Sequence, residues 1–124
     1  MSLLVLLAVA IAGGLGAGLR YVVDAAVTAI VRGRFPWGIL VVNVTGSIAL
    51  GVLTGLSAAS DLTWVLGAGL LGGYTTFSTV AVETWLLGEA RRTTAFWANG
   101  LGTAVACVGG AALGVVLGAA LGGR

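Results

Sequence analysis

The stretch Gly67-Ala68-Gly69-Leu70-Leu71-Gly72-Gly73-Tyr74-Thr75-Thr76-Phe77-Ser78-Thr79 lies within a long apolar segment and decides how the chain is built. Two adjacent glycines are followed by four Ser or Thr residues, and Gly, Ser and Thr are poor helix formers. The pattern predicts a break in a membrane helix that frees backbone carbonyls near Gly72 and Thr75. Such backbone is tolerated in a bilayer only where protein, water or an ion satisfies it, and freed carbonyls suit a hard cation. The alternative is a kink in which the hydroxyls bond back to the preceding turn.

The composition around this stretch is that of a membrane protein. Of 124 residues, 59% are apolar and 8% are charged, against about 25% charged in a soluble domain. The mean hydropathy is +1.13. The chain has no His and a single Cys, which excludes His-based catalysis, His-ligated metals and an intrachain disulfide. With six basic and four acidic residues and no plausible nucleophile–base pair, we expect neither nucleic-acid binding nor an enzyme.

The charged residues divide the chain into segments of membrane-spanning length. A bilayer core about 30 Å thick needs about 20 helical residues per span, so the chain has room for four spans. The short connections make neighbouring helices antiparallel. We therefore predict an all-α integral membrane protein, with one four-helix transmembrane domain over residues 1–124 and spans near residues 3–30, 37–59, 62–87 and 94–121.

The charges between the spans are shared unequally by the two sides of the membrane. One side holds Asp61, the N-terminus and Arg124. Because basic loops tend to stay in the cytoplasm, the Arg-rich side is expected to be cytoplasmic and both termini outside. The Arg residues of that side are Arg32, Arg34, Arg91 and Arg92.

Small residues recur every fourth position in three of the spans, where they lay smooth stripes along helix faces. Close packing of small residues drives helix association in lipid. The stripes indicate either packing within one subunit or a subunit interface. Four short helices can hardly enclose an aqueous path, so an oligomer is expected for any transport role. The stripes are Ala10, Gly14 and Gly18; Ser47, Gly51 and Gly55; and Gly102, Ala106, Gly110, Gly114, Gly118 and Gly122.

Polar residues inside the spans are costly and call for a reason. In the second span, Asn43, Ser47 and Thr54 share one helix face. Asn43 is the most informative of them, because a buried amide has up to four hydrogen bonds to satisfy. It can form an interhelical hydrogen bond or act as a donor that lines a pore.

Three charged residues also fall inside the expected spans, near the Arg-rich end. Arg20 and Asp24 are four residues apart and could pair, and Glu83 lies in the third span. Arg20 either joins an intramembrane salt bridge, with Glu83 as another partner, or faces a vestibule where it concentrates anions.

Three motifs, in order and each on a different span, resemble those of the Fluc, or CrcB, fluoride channels. The first is Gly13-Gly14-Leu15-Gly16-Ala17-Gly18-Leu19-Arg20-Tyr21. The second is Pro36-Trp37-Gly38-Ile39-Leu40-Val41-Val42-Asn43-Val44-Thr45-Gly46-Ser47. The third is Gly72-Gly73-Tyr74-Thr75-Thr76-Phe77-Ser78-Thr79, followed by Glu83. The resemblance covers almost the whole chain.

The resemblance implies a dual-topology dimer with two fluoride pores in the bacterial inner membrane. It implies passive export of cytoplasmic fluoride and one structural Na⁺ ion on the two-fold axis. The sodium ligands would be the backbone carbonyls of Gly72 and Thr75 from each subunit. Phe77 would turn its ring edge, the positive part of the aromatic quadrupole, toward the anion. The pore-lining residues implied are Asn43, Phe77, Ser78 and Thr79.

The chain departs from the family pattern at two pore positions. A second Phe, three positions after the first, is replaced by Val80, and the threonine of the second motif is replaced by Ile39. These changes put a paired-ring pathway and one pore hydroxyl in doubt. On the fourth span, Asn99 and Thr103 are the polar candidates.

The unequal number of Arg residues on the two sides of the membrane indicates which kind of partner subunit the chain needs. We expect the chain to prefer one orientation and to form a heterodimer with a homologous subunit of opposite bias, while a homodimer is the other possibility.

Two further functions fit four short helices. A proton-coupled small multidrug exporter would use Asp24 as its embedded acid, and a structural subunit of a larger complex would explain the glycine stripes. Neither of them gives a role to residues 72–79.

Overall fold

A computed structural model describes residues 2–56 and 59–123, and all regular structure in those ranges is helical. Four helical spans are long and apolar enough to cross a membrane, which confirms the predicted all-α membrane fold. Arg124, which enters the expected charge balance, lies outside the described residues. The helices are α1 (Leu3–Ile30), α2 (Trp37–Gly55), α3 (residues 61–74) and α4 (Ser78–Glu89), which share the third span, and α5 (Thr93–Leu121).

Side-chain caps begin two of the spans. Ser2 Oγ accepts a hydrogen bond from the Val5 amide at 3.3 Å, and Ser60 Oγ accepts one from the Thr63 amide at 3.2 Å. Asp61 adds a negative charge at the positive end of the α3 dipole. These caps satisfy amides that the first helical turn leaves unpaired.

The glycine stripes of α2 and α5 pack against each other within the subunit. A methyl group added at Gly51 would lie 3.0 Å from the Gly114 Cα, and one added at Gly118 would lie 3.0 Å from the Gly55 Cα. No side chain larger than hydrogen fits between these backbones. The close approach supplies the dispersion contacts that hold membrane helices together.

A second close approach joins α1 to α3. A methyl group at Gly73 would lie 2.9 Å from the Gly13 Cα, and one at Gly16 would lie 2.9 Å from the Tyr74 amide nitrogen. The predicted stripe of α1 is not the one used here, since a methyl at Gly14 or Gly18 would meet nothing within 4 Å. The contact face of α1 therefore fixes the backbone just before the break, while the Gly14–Gly18 face stays open.

The break in the third span is confirmed, but it lies slightly later than the sequence predicted. Gly72–Tyr74 still forms a helical turn, and the Thr75 amide bonds to the Leu71 carbonyl at 2.9 Å. Thr75 then turns extended, with φ −77° and ψ 157°, and helix resumes only at Ser78. The irregular residues are therefore 75–77 rather than 72–75. The helix continues past this turn as long as each amide bonds to the carbonyl four residues earlier, and Thr76 is the first residue past it whose amide bonds elsewhere.

Candidate functional site

An open cavity of about 450 Å³ lies beside the break, between α2 and α5. π-helical turns precede it in both spans, at Val65–Leu71 in α3 and Ala98–Gly102 in α5. Such turns occur often at functional sites. The extra residue rotates the helix that follows and changes which of its side chains face inward. The lining residues are Asn43, Ser47, Gly72, Thr75, Thr76, Phe77, Val80, Gly100, Thr103, Ala104 and Cys107.

Asn43 pairs with the backbone of Thr76 in both directions. Its Nδ2 donates to the Thr76 carbonyl oxygen at 2.9 Å, and its Oδ1 accepts from the Thr76 amide at 2.8 Å. The side chain is 5% exposed. The interhelical alternative for Asn43 is thus realised, and one N–H of its amide is left over for the cavity that it lines.

The Thr76 hydroxyl is a second side-chain group that accepts a hydrogen bond from a backbone amide near the break. Its Oγ1 accepts from the Thr79 amide at 3.2 Å and lies 3.3 Å from Thr79 Oγ1. In a continuous α-helix, each amide would instead donate to the carbonyl four residues earlier. The amide of Thr76 would then bond to Gly72, and the amide of Thr79 would bond to Thr75.

The two diverted amides are the helical partners of the Gly72 and Thr75 carbonyls, which the sequence singled out. Both residues line the cavity. Within the described ranges, no three His, Cys, Asp or Glu side chains come together as a metal site. A cation at this place would have to be met by neutral oxygens, and carbonyl oxygens fit a hard cation such as sodium.

Phe77 is the last residue of the break and projects away from its own subunit. Its ring is 85% exposed, although the residue lines the cavity. Ser78 and Thr79 begin α4 and are absent from the lining, where Thr75 and Thr76 stand instead. The structure therefore brings Asn43, Phe77, Gly72 and Thr75 together and sets Ser78 and Thr79 to one side.

Two polar residues of α5 are buried beside the break. Asn99 is 1% exposed, and its Nδ2 donates to Thr84 Oγ1 at 2.8 Å and to the Val80 carbonyl at 3.4 Å. Thr103 is 4% exposed and lines the cavity. Within the residues that the structure describes, Asn99 Oδ1 and Thr103 Oγ1 have no hydrogen-bond partner. A buried hydroxyl without a partner costs about 1–3 kcal/mol, which makes Thr103 a candidate for contact with an ion or water in the cavity.

Cys107 is a lining residue that the sequence did not identify. It stands four residues after Thr103, on the same face of α5, and its thiol is half-buried. The spacing was available in the sequence. A lone cysteine in a small-residue helix gives no sign of facing a cavity, so its position had to come from the packing.

The charged residues near the Arg-rich end line a smaller cavity of about 280 Å³. Asp24 and Glu83 both line it, together with Arg34. Asp24 Oδ1 accepts a hydrogen bond from Thr28 Oγ1 at 3.5 Å. Across residues 2–56 and 59–123, no ion pair within 4.0 Å joins Arg20 to either carboxylate. Arg20 is half-buried, so the salt-bridge alternative is not realised.

Comparison with known proteins gives a match along almost the whole chain. Residues 7–119 match the family described as CrcB-like protein, Camphor Resistance (CrcB). The chain is 44% identical over 122 residues to Fluoride-specific ion channel FluC 1 of Leifsonia xyli subsp. xyli, covering 95% of this chain and 89% of that protein. It is 40% identical over 99 residues to Fluoride-specific ion channel FluC 2 of Mycobacterium tuberculosis H37Rv, covering 80% and 79%. It is 46% identical over 91 residues to Fluoride-specific ion channel FluC 2 of Mycolicibacterium paratuberculosis, covering 73% and 75%.

Proposed function

This chain belongs to the CrcB family, and from that premise we propose that it is a fluoride-specific ion channel that lets cytoplasmic fluoride leave the cell passively. Its relatives are named as ion channels rather than enzymes. The four spans make it a multi-pass protein of the bacterial cell membrane. The observation that carries the proposal is the cavity at the break, because the second and third family motifs meet there through the Asn43–Thr76 pair.

The residues at the cavity can replace the hydration water of a small anion with weak hydrogen-bond donors. Fluoride holds its water strongly, so a pore must offer donors close enough to replace it. The free N–H of Asn43 and the hydroxyl of Thr103 can donate without burying an opposing charge. The ring edge of Phe77 can meet an anion through the positive part of its quadrupole. Several weak contacts let the ion pass, whereas one strong site would trap it.

The same geometry supports a structural sodium ion held by the Gly72 and Thr75 carbonyls. Their helical amide partners are bonded to Asn43 Oδ1 and Thr76 Oγ1. When bound, sodium supplies a positive charge that balances the partial charges of these oxygens. Thr75 stays in place through its own hydroxyl, which donates to the Leu71 carbonyl at 3.0 Å.

A second subunit completes the pore in this proposal. The Phe77 ring is 85% exposed and the cavity beside it is open, so the subunit alone does not enclose an ion path. An oppositely oriented homologous subunit, as a homodimer or heterodimer, would cover this face. The four Arg of the loops 31–36 and 90–92 favour one orientation of this chain, and hence a heterodimer.

The multidrug exporter has less support. It requires a membrane-embedded acid in the first span, but Asp24 shares the smaller cavity with residues of the 31–36 loop, such as Arg34 and Pro36. Asp24 is therefore near the membrane surface. The relatives are also named for fluoride alone.

Growth of a fluoride-sensitive bacterium that lacks its own exporter tests the proposed function. Expression of this chain, alone and with any neighbouring homologue, is expected to restore growth in millimolar fluoride. Phe77→Ala serves as the matched inactive variant at equal expression. Equal sensitivity of the strain with and without the chain, in both combinations, would contradict the proposal.

A further inference from the structure

We infer that Asn43 and Thr76 are positioning residues for sodium: their side chains hold the amides that would otherwise consume the Gly72 and Thr75 carbonyls. The inference rests on the proposed function, because it concerns the sodium ion of that proposal. It assigns Asn43 a task on the backbone in addition to any contact with fluoride. The two bonds that carry it are Thr76 N–H to Asn43 Oδ1 at 2.8 Å and Thr79 N–H to Thr76 Oγ1 at 3.2 Å.

A competition between partners explains the effect. A buried amide takes whichever acceptor is available, because leaving it unpaired is costly. Without Asn43 Oδ1, the nearest acceptor for the Thr76 amide in the chain direction is the Gly72 carbonyl, which lies one helical turn earlier. The helix would extend through the break, and Gly72 would lose the lone-pair direction that it offers to a cation.

The Asn43 side chain is suited to this task in a way that a hydroxyl or a carboxylate is not. It presents an acceptor and a donor side by side. The bond from the Thr76 amide to Oδ1, at 2.8 Å, holds the peptide that follows Thr75, and the bond from Nδ2 to the Thr76 carbonyl, at 2.9 Å, holds the peptide that follows Thr76. The residue is 5% exposed, so bulk water competes only weakly for either bond. The break is thereby held open by a neighbouring helix and not by its own sequence alone.

The Thr76 hydroxyl keeps the Thr75 carbonyl free of a helical hydrogen bond. Its hydroxyl accepts from the Thr79 amide, which starts α4 in the manner of a helix cap. The Thr79 amide is therefore satisfied without the Thr75 carbonyl. Asn43 and the Thr76 hydroxyl thus protect one proposed sodium ligand each, and removal of either side chain should weaken sodium binding.

A sodium titration of thermal stability measures this without relying on transport. Purified dimer is heated in buffers where sodium replaces N-methyl-D-glucamine at constant ionic strength, and the surviving dimer is quantified by size-exclusion chromatography. A ligand that binds only the folded state raises the melting temperature in proportion to the logarithm of its concentration above its Kd. The apparent Kd for sodium fitted to this rise, called the titration midpoint, is the quantity compared between variants.

Four variants of Asn43 and Thr76, with one control variant, separate positioning from general structural damage. Asn43→Leu and Thr76→Val remove the polar atoms at similar volume, and each should raise the titration midpoint for sodium about 10-fold or more, as for other residues that orient metal ligands. Thr76→Ser keeps the hydroxyl, so it should titrate near the wild-type value. Asn43→Asp keeps an acceptor for the Thr76 amide but loses the donor to the Thr76 carbonyl, so its midpoint should lie between those of the wild type and Asn43→Leu. Thr54→Val is the control on α2, since its hydroxyl donates to the Leu50 carbonyl of its own helix.

The sodium titrations of these variants either support the inference or overturn it. Wild-type titration midpoints in both Asn43→Leu and Thr76→Val would overturn the inference. If Asn43→Leu forms no dimer, a shifted midpoint in Thr76→Val with a normal Thr76→Ser still supports it, and a normal Thr76→Val overturns it. If the wild-type dimer shows no response to sodium, both the sodium site and the inference fail. Fluoride efflux from the same preparation then shows whether the channel function stands independently.

Discussion

The side chain of Asn43 is bonded to both backbone polar groups of Thr76, across 33 residues of sequence, at 2.9 and 2.8 Å. This single pair joins the second span to the break in the third. Backbone groups at this depth must be satisfied by protein, water or an ion, and Asn43 satisfies both of those of Thr76. The site is thus a property of two helices together, and changes on either should alter it.

Replacement of Phe77 should reduce transport while leaving the subunit folded. Its ring is 85% exposed, so it contributes little to packing within the chain. Phe77→Ile keeps apolar volume but loses the quadrupole that meets an anion at the ring edge. We expect fluoride efflux from liposomes to fall about 10-fold or more, with an unchanged elution position of the dimer, since 1.4 kcal/mol of lost stabilisation is a factor of 10. Efflux equal to the wild type in Phe77→Ile would show that the ring is not needed.

Replacement of Thr103 should separate stability from conduction. Its Oγ1 is buried and lacks a partner in the described part of the chain, so Thr103→Val removes an unsatisfied group at nearly constant volume. The melting temperature is expected to stay the same or to rise. Fluoride efflux is expected to fall, by about 10-fold if a bond to an ion of about 1.5 kcal/mol is lost. Thr94→Val, at the exposed start of α5, is the control. A fall in stability without a change in efflux would contradict a role in the pore.

Thiol reagents should reach the pore of the wild-type protein. Cys107 is the one cysteine of the sequence and lines the cavity. A small methanethiosulfonate reagent is expected to attach to it and to slow fluoride efflux, because the added group occupies the cavity. Cys107→Ser should conduct and should be insensitive to the reagent. Labelling confirmed by mass spectrometry without any effect on efflux would place Cys107 away from the ion path.

The α2–α5 interface should not tolerate a methyl group. Gly51→Ala would bring the new carbon to 3.0 Å from the Gly114 Cα, and overpacking of this kind costs about 1–3 kcal/mol. The melting temperature of the dimer should fall. Gly109→Ala is the matched control, since an added methyl there meets nothing within 4 Å and gains helix propensity of about 1 kcal/mol. Similar melting temperatures for the two variants would contradict the packing described for α2 and α5.

The distribution of Arg residues predicts a preferred orientation in the membrane. The loops at 31–36 and 90–92 lie on one side and carry four Arg, so a tag at the N-terminus should be accessible mainly from outside the cell. A cell-impermeant reagent that reacts with the tag, before and after lysis, measures the fraction. A near-even split between the two sides would favour a homodimer over the heterodimer that we propose.

Much of the fold follows from the sequence because lipid imposes simple rules. Apolar length gives the four spans, and the run from Gly72 to Thr79 gives the break. The position of the break could not be read from the run, because Thr75 still closes a helical turn on Leu71. The amide that first leaves the helix is set by Asn43, which is remote in sequence.

The cavity lining was harder to predict for a related reason. Helical periodicity assumes one continuous register, but the break and the two π-helical turns shift which residues face inward. Thr75 and Thr76 therefore line the cavity in place of Ser78 and Thr79. Similarly, the open Gly14–Gly18 face of α1 and the tightly packed Gly51–Gly55 face of α2 have equivalent spacings. Only the neighbouring helix distinguishes them.

Anion efflux from liposomes tests the central claim most directly. Liposomes that contain the purified protein, with any homologous partner, are loaded with equal fluoride and chloride, and both ions are followed outside with selective electrodes. The account predicts rapid fluoride efflux without an energy source, while chloride stays inside until detergent is added. Release of both ions together, or retention of both with and without the partner, would contradict it.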